Sequence, residues 1–286
     1  MFIKGKYKGE KMKTAIVTGS SSGFGKLIAI ELARKGYNVI ATMRDIQKSD
    51  NLIELVTRNN LQDRIHIYPL DVTSPVSIGK LETYVRGMNS VDILVNNAGY
   101  AQGGFCEELS IEAYRHQFET NFFGAIAVTK TILPAMRSQG SGKIINMSSI
   151  SGRFGFPGLS AYASSKYALE GFSESLRLEL KPFGIDVILV EPGSYKTNIW
   201  ASVEEVQLKE RSPYAASMTA ILHELKNGEA DYGDPKDVAK LIAKIACNTG
   251  ACNLRYPIGK GVGKMIFLKN LLPWKTIEKM VLKKLY

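Results

Sequence analysis

From Lys13 onward, six short β-branched runs alternate with longer helical patterns, and that alternation leaves the chain few architectures. The runs are TAIVT (14–18), NVIATM (38–43), RIHIYPL (64–70), VDILVN (91–96), KIINMS (143–148) and DVILVEP (186–192). Several are apolar on consecutive residues, as strands covered on both faces are. Helical periodicity occupies 24–35, about 46–59, 75–86, 111–137 and 161–181. Start signals stand at Ser74 before Pro75, at Ser110 two residues before Glu112, and at Asp234 before Pro235. Gly36 and Gly184 read as helix stops. The pattern predicts an α/β fold with βαβ units, a doubly wound parallel sheet and helices on both faces. With no internal repeat or linker-like composition, one domain is expected over 13–259. It follows an extension, 1–12, contains an irregular excursion at 194–231, and precedes an appendix, 260–286.

The net charge of +10 resides in the tails. Residues 1–13 hold five lysines and one glutamate, and residues 260–286 hold seven lysines and one glutamate. The stretch 14–259 has 25 basic and 25 acidic residues. A nucleic-acid footprint would place basic residues along a folded face, so no nucleic-acid partner is expected. Three cysteines, Cys106, Cys247 and Cys252, match no metal or disulfide spacing and suggest a reducing compartment. No apolar run approaches the roughly 20 residues of a spanning helix. The lysine-containing N-terminus lacks the apolar core of a secretory signal. A cytoplasmic protein is expected.

The first strand runs into Thr18-Gly19-Ser20-Ser21-Ser22-Gly23-Phe24-Gly25, and a helical pattern follows at once. A glycine-rich turn that opens a helix lets backbone N–H groups and the helix dipole meet a pyrophosphate. Gly19 suits the tight turn, Gly23 a close backbone approach, and Gly25 close packing of helix on strand. A flexible Gly/Ser turn is the plain alternative, and the strand–turn–helix context argues against it.

The spacing is G-x-x-x-G-x-G, not G-x-G-x-x-G. With Asn96-Asn97-Ala98-Gly99 after the fourth strand and Tyr162-x-x-x-Lys166 further on, the chain resembles the classical short-chain dehydrogenases/reductases from about residue 13 to 258. Within them it looks most like the hydroxysteroid and retinol dehydrogenase group. The resemblance implies a Rossmann-type domain, and a cofactor cradle of Gly19, Ser21, Ser22, Gly23, Phe24 and Gly25. It implies an adenine contact at Asp71-Val72, and contacts beside the adenosine ribose at Asn97, Ala98 and Gly99. The nicotinamide end would meet Pro192, Gly193 and Thr197. Asn96 and Asn97 also read as turn residues that support the sheet. Where NAD enzymes of the family carry an acidic residue, this chain has Met43, followed by Arg44. A guanidinium there suits a 2′-phosphate, with Ser22 as a further donor, so NADP(H) is preferred and NAD(H) is the alternative. The competing reading has Arg44 solvated and paired with Asp45.

Tyr162 and Lys166 lie four apart on a helical pattern and so share a face, with Cβ atoms roughly 5–6 Å apart. A phenol with a pKa of about 10 is a poor base at neutral pH; a neighbouring ammonium favours the phenolate, and the lysine together with an oxidised nicotinamide cation is expected to lower the value by about three units. On a surface helix the same pair usually means nothing; the phosphate cradle upstream changes its meaning. The resemblance assigns Ser149 to the substrate oxygen, with Ser148 as its rival, and Asn121 to a proton relay through water. Asn121 also reads as a helix-interior polar residue that bends the helix. The implied reaction is hydride transfer between NADP(H) and a small-molecule carbonyl or alcohol, with Tyr162 as general acid/base and Lys166 bonding the nicotinamide ribose. A cofactor-binding scaffold or sensor with little turnover is the alternative. Intact Asn121, Ser149, Tyr162 and Lys166 argue against it.

Ile199, Trp200, Val203, Tyr214, Met218 and Leu222 in the excursion, with the loop 153–159, suggest a lipophilic substrate. A packed lid or a subunit interface accounts for them equally well, and a homo-oligomer is expected. The stretch 262–286 mixes lysines with apolar residues, and Pro273 should divide it into two helices. Docking of this tail on the enzyme is favoured over peripheral membrane contact.

Overall fold

A computed structural model describes residues 12–197, 199, 203, 212–228 and 232–283. The expected extension through residue 11, Trp200 and much of the excursion's first half lie outside the described residues. Seven parallel strands form one sheet in the order β3-β2-β1-β4-β5-β6-β7. They are β1 (Thr14–Val17), β2 (Asn38–Met43), β3 (Ile65–Pro69), β4 (Ile93–Asn96), β5 (Gly142–Met147), β6 (Ile185–Pro192) and β7 (Arg255–Ile258). The helices include α1 (Gly23–Arg34), α2 (Asp50–Arg58), α3 (Pro75–Arg86), α4 (Ile111–Phe118), α5 (Gly124–Gln139) and α6 (Ser160–Leu180). Further helices span Ala215–Gly228, Pro235–Cys247, Val262–Leu271 and Trp274–Leu282.

The consecutive apolar residues of the strands feed two separate cores. Ala15, Val17, Val39, Ala41, Val95 and Ile145 pack with α1, α2 and Pro235–Cys247 on one face. Ile16, Ile40, Leu94, Ile144 and Val187 pack with α3, α5 and α6 on the other. Because side chains alternate across a strand, a sheet covered twice needs every position apolar. The expected start signals also operate. Ser74 accepts from the Ser77 N–H, Ser110 from Ala113 and Asp234 from Lys236. Gly36 and Gly184 take φ of +88° and +69° at the helix stops.

Three elements differ from the sequence expectation, the first being the 14-residue helix Ala215–Gly228 inside the excursion that was expected to be irregular. β7 was not foreseen: RYPI is short, carries a charge and a proline, and is only partly buried as the last strand of the sheet. The helix expected over 111–137 is interrupted at Glu119–Phe123 by a π-helical turn. Asn121 causes no bend through its own helix backbone. Its amide accepts from the Tyr100 N–H at 3.1 Å and donates to the Tyr100 carbonyl at 2.9 Å. A π-turn holding a polar side chain against another loop commonly marks a functional site.

The tail divides at Pro273, as expected. Its docking on the body is partial. Val262 and Ile277 are buried, whereas Met265, Phe267, Leu271, Trp274, Met280 and Leu282 remain exposed. Among the described residues no helix is long and apolar enough to cross a membrane.

Candidate active site

The strand order reverses between β1 and β4, so their following loops diverge to opposite faces and open a crevice at the carboxyl ends. A cleft of about 430 Å³ lies there. Gly19, Ser21, Ser22, Gly23, Phe24, Arg44, Asp71, Val72, Asn97, Ala98 and Gly99 line it, with Ser149, Tyr162, Lys166, Pro192, Gly193 and Thr197. Residues from six strand ends thus converge on one crevice. Gly25 and Asn121 stand behind its lining.

The cradle is built around glycines that no other residue replaces. Gly19 has φ of +68°, and a Cβ on it would lie 2.8 Å from the Ala98 Cα. A Cβ on Gly25 would meet the Gly19 carbonyl oxygen at 2.2 Å, so helix α1 packs directly onto the turn. Asn97 is a clamp as well as a lining residue. Its amide donates to the carbonyls of Thr18 at 2.8 Å and Gly19 at 3.0 Å. Thr18 Oγ1 accepts in return from the N–H groups of Asn97 and Ala98, both at 2.9 Å. Asn96 lies in the middle of the sheet, donating to Thr129 Oγ1 and Asn146 Oδ1. Ser22 begins α1 in extended conformation without capping it, so its hydroxyl is not engaged by the helix.

At the second strand's tip, Met43 is buried and Arg44 is exposed beside the cleft. Asp45 accepts from the Gln47 N–H at 3.0 Å, and no ion pair joins it to Arg44 among the described residues. The pairing considered from sequence does not form. Asp71 gives one carboxylate oxygen to the Thr73 N–H and hydroxyl.

At the inner end, Ser149, Tyr162 and Lys166 are all buried. Lys166 donates to the Met147 carbonyl at 2.7 Å, with its Nζ 5.6 Å from the Tyr162 ring centroid. The expected lowering of the phenol's pKa is not found in the protein alone. Burial pushes Tyr162 up to about 12, and the hydrogen bond with Ser149 pulls more weakly downward. Desolvation also lowers Lys166, to about 8, against the opposing charge of Glu170. Removal from water dominates at both groups, over the Ser149 hydrogen bond at Tyr162 and over the Glu170 charge at Lys166. Ser149 and its rival Ser148 both line the cleft.

Around Tyr162 lies a small apolar cluster of Ala101, Leu159 and Val203, flanked by Phe156, Ile199 and Leu225. Of the excursion's apolar residues named from sequence, Ile199 lines the cleft. Met218 is buried against the Gly158 loop, and Tyr214 stacks on Phe105 and donates to Glu107. Those two pack the excursion onto the body.

Sequence reasoning missed several residues. Tyr100, Thr120 and Tyr195 also line the cleft. Below it, Arg255 of β7 bonds Glu170 at 2.9 Å and approaches Glu191 at 3.3 Å, while Arg153 bonds Glu191 at 3.0 Å. This network of two buried carboxylates and two partly buried guanidiniums ties α6, which carries Lys166, to the end of β6 before Pro192. The paired signs of RYPI and EP were legible, but their proximity depends on the unforeseen strand.

A family model described as short chain dehydrogenase matches residues 13–208. The chain is 50% identical over 278 residues to the uncharacterized oxidoreductase YusZ of Bacillus subtilis strain 168, covering 96% of this chain and 99% of that protein. It is 36% identical over 249 residues to retinol dehydrogenase 8 of Bos taurus, covering 82% and 77%. The crystal structure of an actinorhodin polyketide ketoreductase variant with NADPH aligns with a TM-score of 0.75 and 31% identity, covering 88% of this chain and 97% of that one. Crevice, cradle and matched residues coincide, and this chain belongs to the short-chain dehydrogenase family of oxidoreductases, with retinol dehydrogenase-like relatives.

Proposed function

We propose that the protein is an NADP(H)-dependent reductase/dehydrogenase that interconverts a lipophilic carbonyl compound and its secondary alcohol. The observation that carries this reading is the burial of Ser149, Tyr162 and Lys166 together in the same crevice as the glycine turn. The lining fits the cofactor in its tight glycine turn, in the exposed Arg44, and in Thr197, whose buried hydroxyl has no partner among the described residues. When bound, the nicotinamide supplies or accepts the hydride.

The chain's own groups perform the rest. Ser149 orients the substrate oxygen and stabilises charge developing on it. Tyr162, a protonated phenol at neutral pH with its pKa near 12, donates its proton to the carbonyl oxygen. Reduction therefore uses the phenol as it stands. Lys166, held by the Met147 carbonyl, supplies a positive charge beside the phenol as the proton leaves. Asn121 holds the Tyr100 loop against α6 through its 3.3 Å approach to Ser165. The apolar cluster of Phe156, Ile199 and Leu159 beside Tyr162 supports a lipophilic substrate, as does the retinol dehydrogenase relative. NADPH oxidation with a panel of lipophilic ketones and aldehydes tests the reading. Absence of turnover with all of them, in protein that binds NADPH, would favour a scaffold instead.

Arg44 is assigned to the 2′-phosphate, supported by its exposure at the cleft and the buried, uncharged Met43 before it. Arg44→Asp removes a cation and adds repulsion. The ratio of kcat/KM for NADPH over NADH should fall on the order of 100-fold. An unchanged ratio leaves Arg44 as a loop residue.

A further inference from the structure

We propose that the paired C-terminal helices, Val262–Leu271 and Trp274–Leu282, form a docking face for an anionic lipid surface. The inference does not depend on the substrate assigned above. Phe267, Leu271, Trp274 and Met280 are 65%, 66%, 59% and 56% exposed. Large apolar side chains concentrated on one short segment are costly to leave in water. Lys264, Phe267 and Leu271 share one helix face by their spacing of three and four, and exposed Lys275 and Lys279 follow. Glu278 is the one acidic residue among the seven lysines of 260–286. With 14–259 formally neutral, residues 260–286 hold +6 of the net charge of +10, on the segment where the apolar side chains emerge, and the rest lies in residues 1–13.

The first helix is held to the body in a defined way. Lys269 turns inward, donating to the Arg153 carbonyl and to the Tyr167 hydroxyl at 2.6 Å. Its ammonium lies 5.4 Å and 5.2 Å from the Phe154 and Tyr167 ring centroids. This anchor joins the first helix to the loop before Tyr162 and to α6.

Charge selects the occupant. In a twofold contact the same patch meets itself, which would oppose two lysine-rich segments with little acid between them. An anionic bilayer surface reverses that repulsion, and each lysine near it strengthens binding about five-fold. Trp274, beside Pro273, provides an amphipathic ring suited to the headgroup level.

The experiment compares sedimentation of the full chain with vesicles of phosphatidylcholine alone and of phosphatidylcholine mixed with phosphatidylglycerol. Binding should be confined to the mixed vesicles and weaken as salt rises. The combined Lys264→Gln, Lys275→Gln and Lys279→Gln variant should bind on the order of 100-fold more weakly. In a Trp200→Phe background Trp274 is the sole tryptophan, and its emission should shift to the blue on the mixed vesicles. Equal binding to both vesicle types, binding to neither, or unchanged Trp274 emission overturns the proposal. A concentration-dependent dimer that Phe267→Asp disrupts, in protein that binds no vesicles, assigns the face to a second copy and overturns it as well.

Discussion

Tyr162→Phe should remove nearly all carbonyl reduction while the folded protein and its cofactor affinity remain. The ring stays in its buried site against Leu159, Val203 and Phe156, so packing is conserved. The hydroxyl alone is lost, and with it the proton donor to the substrate oxygen. Loss of a positioned general acid costs typically about 10²–10⁴-fold, so kcat should fall by at least 10². NADPH affinity, measured by fluorescence titration, should change little, because the lost hydroxyl is no part of the cradle at Gly19–Gly25 or of Arg44. More than a few per cent residual activity, with thermal stability intact, would falsify the role assigned to Tyr162.

Lys166→Met should abolish efficient turnover and yet leave the cofactor-free protein at least as stable as the parent at neutral pH. Burial holds the Lys166 ammonium at about 8, below its ordinary 10.5, so the native state binds this proton less tightly than the unfolded chain does. Below about pH 8 the parent carries the full desolvation cost, on the order of 3 kcal/mol. Between about 8 and 10.5 the native lysine is neutral while the unfolded one is still charged, and the parent's stability rises with pH. The Met variant has no such buried charge, although leaving the Met147 carbonyl without its donor costs it about 1–3 kcal/mol. Its stability relative to the parent should therefore decline as pH climbs through that window. Tyr162 is present in both proteins, so its titration cancels. Denaturant melts at pH 7 and pH 10 check this. A stability difference that is flat with pH removes the buried ammonium from the account, and undiminished kcat removes Lys166 from the chemistry.

These predictions draw on residues with different legibility. Gly19, Gly23 and Gly25 could be placed because a tight turn between strand and helix restricts residue type locally, and their spacing was visible in eight consecutive residues. Tyr162 and Lys166 share a helix face through periodicity alone. Asn97 was legible as a lining residue, but its clamp on Thr18 and Gly19 spans nearly eighty positions and depends on β1 lying beside β4. The Arg153–Glu191–Arg255–Glu170 network was out of reach for the same reason: β7 joins the sheet through pairing with β6, with little signal in RYPI itself.

By itself the sequence determined the strand and helix alternation, the two-sided burial of the sheet, the helix caps and the residue types at the cradle and the Tyr162–Lys166 pair. Each depends on neighbours within a few positions, where backbone geometry and side-chain periodicity dominate. Tertiary structure alone decided how those groups behave. The electrostatic reading from sequence expected Lys166 and the oxidised cofactor together to lower the phenol pKa, whereas in the protein alone enclosure among residues such as Leu159 and Val203 raises it to about 12. Likewise, apolar residues in the tail were expected to be covered, and packing buries Val262 and Ile277 while leaving Phe267, Leu271 and Trp274 in solvent. Desolvation and exposure are properties of what surrounds a group in space, so the order of residues along the chain specifies them only through the completed fold.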